Sequence, residues 1–146
     1  MNQSSRMPTL LGFAGVLPFA ALALALWILP AAQAPLMARW LVGYGAIILT
    51  FVGALHWGVA MVHPEVPERD RARLMLWSVI PSLVAWLALA LPQLAGLALL
   101  AIMFLIQFEA DRRLDRRFAV GSWFLRLRGR LTIAVLICIL LASLAL

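Results

Sequence analysis

The sequence predicts an all-α membrane protein, a bundle of about five transmembrane helices, and three observations carry that reading. Of the 146 residues, 65% are hydrophobic and 12% charged, whereas soluble domains are roughly half apolar and a quarter charged. The apolar residues come in runs of membrane-crossing length, without the two-residue alternation of a barrel strand. All twelve basic residues are arginines, and they fall between or at the ends of those runs.

Span one is read at 10–29. Gly12, Gly15 and Pro18 lie in its first half, where proline removes an N–H and displaces the carbonyl four residues back. A kink is expected there, with a neighbouring helix satisfying the freed carbonyl. Arg6, the apolar run and Ala32-Gln33-Ala34 imitate a signal peptide. The run is 20 residues long, however, against about 7 to 15 for a signal core, and Pro35 would follow the cut, so a retained span is expected. Span two, 40–62, carries Ala46, Thr50, Ala54 and Gly58 at every fourth position. Small residues at that spacing admit a second backbone, which predicts a central helix packed along this stripe.

Span three, 74–91, turns at Pro92-Gln93 straight into span four, 94–108. Val79-Ile80-Pro81 echoes Val16-Leu17-Pro18, and a second broken helix is expected at Pro81. Span five, 131–146, has 16 residues, about 24 Å against a hydrocarbon core of about 30 Å, so Arg128 and Arg130 should snorkel from its first turn. One transmembrane domain covers 1–146, with a basic segment, 111–130, expected to lie in the headgroup layer. There Arg112, Arg113, Arg116, Arg117, Arg126, Arg128 and Arg130 would meet anionic lipid phosphates while Trp123 anchors at the interface.

The arginine distribution sets the expected topology. Eleven of the twelve fall in the N-terminal tail and the loops after spans two and four, and Arg39 alone lies on the other side. That asymmetry predicts a cytoplasmic N-terminus, a periplasmic C-terminus and a bacterial inner-membrane location. The net charge of +6 belongs to this topology, so no nucleic-acid partner is expected. Anionic lipid at the cytoplasmic face is the expected partner, beside a membrane protein or a second copy of the chain.

Chemistry-bearing residues are few. His56 lies inside span two, where ionisable groups are rare and usually functional, though a neutral imidazole can equally pack the bundle through a hydrogen bond. Ser78, Ser82, Gln107 and Glu109 fall at the same depth on spans three and four, predicting an inner polar pocket that Arg126 or Arg128 could close. Against this, Glu109 has Arg112 and Arg113 at helical spacing and could merely solvate a helix end. His56 and His63 lie one heptad apart, about 10 Å, too far to share a metal ion. Cys138 is the only cysteine, and no P-loop, His-Glu-x-x-His or Gly-x-Ser-x-Gly pattern occurs, so no catalytic residue, metal or cofactor is expected.

Tyr44-Gly45-Ala46 followed by Phe51-Val52-Gly53-Ala54-Leu55-His56-Trp57-Gly58 resembles an uncharacterised membrane family with mitochondrial relatives, catalogued as domain of unknown function 3429. Ser78-Val79-Ile80-Pro81-Ser82 and the stretch 123–132 resemble its later blocks. The resemblance implies a small multi-span protein without an activity to transfer, and directs attention to Tyr44, Gly45, His56, Trp57, Gly58, Pro81, Asp111 and Arg128. The leading functional expectation is a non-catalytic accessory or assembly module of a larger membrane complex. The alternatives are a proton-linked transporter using His56 and Glu109, and a quinone- or lipid-binding subunit using the same pocket.

Overall fold

The computed structural model describes residues 3–146, and among them every regular element is helical. Five stretches are long and apolar enough to cross a membrane, Arg6–Ile28, Ala31–Val62, Glu68–Ala90, Gln93–Phe118 and Trp123–Ala145. The chain is a multi-pass helical membrane protein. Along these stretches run α1 (Gln3–Ala14), α2 (Leu17–Ile28), α3 (Ala34–Val62), α4 (Glu68–Ala90), α5 (Gln93–Phe118) and α6 (Ser122–Ala145), with a 3₁₀ turn at Ala31–Gln33.

The first crossing is broken between α1 and α2. Pro18 offers no N–H to the carbonyl of Ala14, and the expected kink becomes a full interruption. The neighbour that repairs it is α3, whose Tyr44 hydroxyl donates to the Gly15 carbonyl at 2.9 Å. The same ring meets Phe19 edge-on, with centroids 5.0 Å apart. Pro81 behaves differently from expectation, because α4 runs through it unbroken. Its ring is seated against Gly53 of α3, where an added Cβ would fall 2.8 Å from the ring carbons, and that packing holds the turn in place.

Helix α3 is central, packing on α2, α4 and α5, but not through the expected stripe. Ala46 is buried, whereas Thr50, Ala54 and Gly58 are exposed. The reason is angular. Each four-residue step turns about 40° past a full circle, so three steps carry the series about 120° off the starting face. The buried face follows the true helical period through Leu41, Gly45, Leu49, Val52, His56 and Ala60. Close approach is made one position earlier, by Gly45 against Leu100 and Gly53 against Pro81.

Phe19, Leu41, Leu49, Leu97 and Leu100 fill the centre. Leu24, Ile47, Phe51, Trp86, Ile102 and Leu140 stand exposed around the outside, a belt suited to hydrocarbon rather than water.

The basic segment is also built differently. Helix α5 continues past residue 108 to Phe118, Ala119 (φ 48°) and Gly121 (φ 146°) make the turn, and α6 begins at Ser122 rather than at 131. Asp115 closes the turn by accepting the Gly121 N–H at 3.1 Å. A small apolar plug of Val66, Leu114 and Phe118 seals this arginine-rich end. Asp70, buried in α4, is paired by charge with Arg117 of α5 at 3.0 Å. Arg113, Arg116, Arg117, Trp123, Arg126 and Arg130 are exposed and Arg112 is half-buried. Arg128 departs from the expected interfacial set, since the earlier start of α6 turns it inward, 7% exposed.

Candidate functional site

Three helices send one polar side chain each, and α5 sends two, into a buried chain of contacts near the arginine-rich end. The indole N–H of Trp77 on α4 donates to Gln107 Oε1 at 3.2 Å. Indole nitrogen only donates, so the amide oxygen must face it and the amide nitrogen must face away. Gln107 Nε2 then lies 3.0 Å from Asp111 Oδ1 and 3.2 Å from His56 Nδ1, one hydrogen for each. His56 therefore presents a lone pair at Nδ1, which makes its ring neutral with the proton on Nε2. Asp111 Oδ2 accepts from Arg128 Nε at 2.7 Å, a short charge-assisted bond between α5 and α6. His56 Nδ1 and Asp111 Oδ1 are 3.7 Å apart, beyond hydrogen-bond range.

Helical geometry explains the membership. Gln107 and Asp111 are four residues apart and share a face of α5, whereas Glu109, two residues from each, points about 200° away. Glu109 instead takes Arg112 at 3.0 Å and Arg113 at 3.1 Å on its own helix. Of the residues expected to form one polar pocket, His56 and Gln107 meet. Ser78 is buried but spends its hydroxyl on the Met75 carbonyl at 2.6 Å. Ser82 lines a separate groove between α3 and α4. Asp111, Arg128 and Trp77 complete the network in place of Glu109 and the serines.

Of the remaining positions singled out by resemblance, Tyr44 braces the α1–α2 break, and Gly45 and Pro81 make close helix contacts. Trp57 and Gly58 are exposed, with the Trp57 N–H directed at Met61 Sδ.

Two cavities flank the network, and a residue with an unsatisfied buried polar atom lines each. On one side a cavity of about 400 Å³ is bordered by His56, Trp77, Asp70, Glu109, Arg113 and Arg117; among the described residues His56 Nε2 is buried with no hydrogen-bond partner. On the other side a cavity of about 590 Å³ lies between α1, α2, α3, α5 and α6, walled by such residues as Leu11, Phe19, Ile48, Leu55 and Val135. Arg128 and Thr132 also line it, and among the described residues Arg128 Nη2 and Thr132 Oγ1 are buried without hydrogen-bond partners. Buried polar atoms are normally hydrogen-bonded, so two unsatisfied ones on residues lining one apolar cavity set this wall apart. Sequence reading missed this second cavity because its wall is assembled from five helices and its polar atoms are one residue type each. The only available signal was Arg128 and Thr132 standing four apart on α6.

Over residues 4–144 the chain matches the family described as a protein of unknown function, DUF3429. It is similar to transmembrane protein 69 of Xenopus tropicalis, at 37% identity over 125 residues. That similarity covers 84% of this chain and 48% of the relative, so the chain spans about half the relative's length. No solved structure matches.

Proposed function

We propose that this chain, which belongs to the DUF3429 family, is a non-catalytic membrane module that holds a lipid-soluble amphiphile within its helical bundle. One observation carries the reading: the 590 Å³ apolar cavity bordered by two buried, unpartnered polar atoms, Arg128 Nη2 and Thr132 Oγ1. Small-molecule sites have this composition, mostly apolar walls with a few convergent polar groups that fix orientation. The groove between α3 and α4, with Trp40, Gly43, Thr50 and Trp86 along it, supports an accessory role beside a larger membrane protein. A proton relay through His56 and Glu109 is the weaker reading: both border the smaller cavity, but Glu109 is engaged by Arg112 and Arg113 on its own helix.

The test is extraction of the full chain from its native membrane in mild detergent, followed by mass spectrometry of everything that stays bound. A lipid-soluble molecule at near-stoichiometric level is expected. It should be lost from Leu55→Trp, which fills the cavity from α3. Protein that carries nothing, or a ligand indifferent to Leu55→Trp, would overturn the assignment.

We further place the arginine-rich end in the cytoplasm of a bacterial cell, because arginine-bearing short loops are retained on that side. Alkaline phosphatase fused after Leu146 is then expected to be active and a fluorescent protein fused there dark. The reverse pair of signals would invert the topology.

A further inference from the structure

Resting on the amphiphile reading above, the geometry points to a ligand of one class: an uncharged molecule that places a carbonyl oxygen at Arg128 and Thr132 and an apolar chain along the cavity. The argument is one of charge balance. Arg128 is the single charged residue among those lining the cavity, and its charge is already met by Asp111, which is fully buried, through the 2.7 Å bond. His56 adds no charge, because Nδ1 accepts from Gln107. The site is therefore neutral before anything binds. A carboxylate or phosphate entering it would bring an uncompensated negative charge into an apolar space, whose desolvation the already-paired guanidinium would not offset.

What remains unsatisfied is hydrogen-bond donation. Arg128 Nη2 can only donate, and the Thr132 hydroxyl has no acceptor. Both are buried, at 7% and 4% residue exposure, and their residues stand one helical turn apart on α6; the assignment places one acceptor oxygen between them. A quinone carbonyl and a fatty-ester carbonyl share that chemistry, being strong acceptors without charge on an otherwise apolar body. A free fatty acid has the chain and the oxygen but the wrong charge.

The experiment uses the full chain in detergent, with three probes: a decyl-substituted benzoquinone, methyl palmitate and palmitate, measured by native mass spectrometry and by thermal shift. At least one neutral probe is expected to bind about tenfold or more tighter than palmitate at pH 8, and which of the two does so identifies the source, quinone or ester. Thr132→Val removes the hydroxyl while keeping the shape, and should weaken the neutral probe by about fivefold to tenfold with the fold intact. Palmitate binding as tightly as the neutral probes would overturn the charge argument while leaving an amphiphile site standing. Neutral binding unchanged in Thr132→Val would overturn the placement of the carbonyl. If no probe binds and Leu55→Trp alters nothing, the amphiphile reading itself falls.

Discussion

Asp111→Asn should be among the most damaging single substitutions in the chain, lowering stability by about 3–5 kcal/mol, the usual cost of leaving one member of a buried ion pair alone. The asparagine is nearly isosteric but has one acceptor oxygen where the carboxylate has two, so with that oxygen toward Gln107 its NH2 faces the Arg128 Nε–H and the loss combines charge with a lost hydrogen bond. Arg128 is left with its guanidinium buried beside neutral neighbours. For a chain of this size the melting temperature should fall by roughly 10 °C, read from a fluorescent fusion heated and run on size exclusion. Arg128→Met should be comparably harmful, because it strands the Asp111 carboxylate. The double variant carries the decisive information. With neither charge present, no desolvation penalty remains, and it should recover most of what either single variant loses. A double variant no better than the worse single one would mean that the pair is not the energetic unit; an unaffected Asp111→Asn would mean that water screens it.

That pair ties α5 to α6 at the arginine-rich end, and its Arg128 lines the larger cavity. Its energetics and its function are therefore linked. Between helices in lipid there is little hydrophobic gain from burial, and packing and hydrogen bonds must do more of the work. A network that locks Trp77, Gln107, His56 and Asp111 in one arrangement holds Arg128 still, and a fixed guanidinium can present Nη2 to a ligand without first paying for order.

Particular residues show what could be read from the sequence and what could not. The number and order of crossings were legible because bilayer thickness imposes long apolar runs, and the break at Pro18 was legible because missing N–H groups are local chemistry. Depth was legible too: His56 and Gln107 were placed at one level and they do meet. Angle around the helix separates Glu109 from the hydrogen-bonded network, although it borders the smaller cavity together with His56. The four-residue spacing of Gln107 and Asp111 was available and pointed to the right carboxylate. The Asp111–Arg128 bond was hidden for another reason. Charged residues near a span end look like a boundary on hydropathy, so the sequence predicts span four ending at 108, span five starting at 131 and both partners within the headgroup-layer segment between them. A buried ion pair is indistinguishable from two solvated charges until the helices are brought together. The sequence offers Arg128 as a residue able to close the polar pocket, and the resemblance directs attention to both partners.

Gly53→Val should be strongly damaging, because the contact it fills is met by a proline ring and by helix backbone. A Cβ there would meet two ring carbons of Pro81 at 2.8 Å and the Ser78 carbonyl oxygen at 3.1 Å. Neither a proline ring nor a helix backbone can rotate aside as a leucine tip can, so α3 and α4 must separate. Overpacking of this kind costs about 1–3 kcal/mol in ordinary cores, and the upper end or more is expected where backbone must move. Gly45→Ala is a softer case, since its nearest obstacle is a methyl of Leu100 at 2.9 Å, which a rotamer change can relieve. Gly58→Ala sets the baseline: nothing lies within 4 Å of its Cβ position, and alanine should gain up to about 1 kcal/mol of helix propensity. Melting temperatures of the three purified variants should therefore rank Gly58→Ala highest, Gly45→Ala next and Gly53→Val lowest. If Gly53→Val melts with the wild type, α3 and α4 are not in close contact at Pro81, and the unbroken course of α4 would need another explanation. If Gly58→Ala is stable alone but no longer co-purifies with a membrane partner, the exposed side of α3 is where that partner packs.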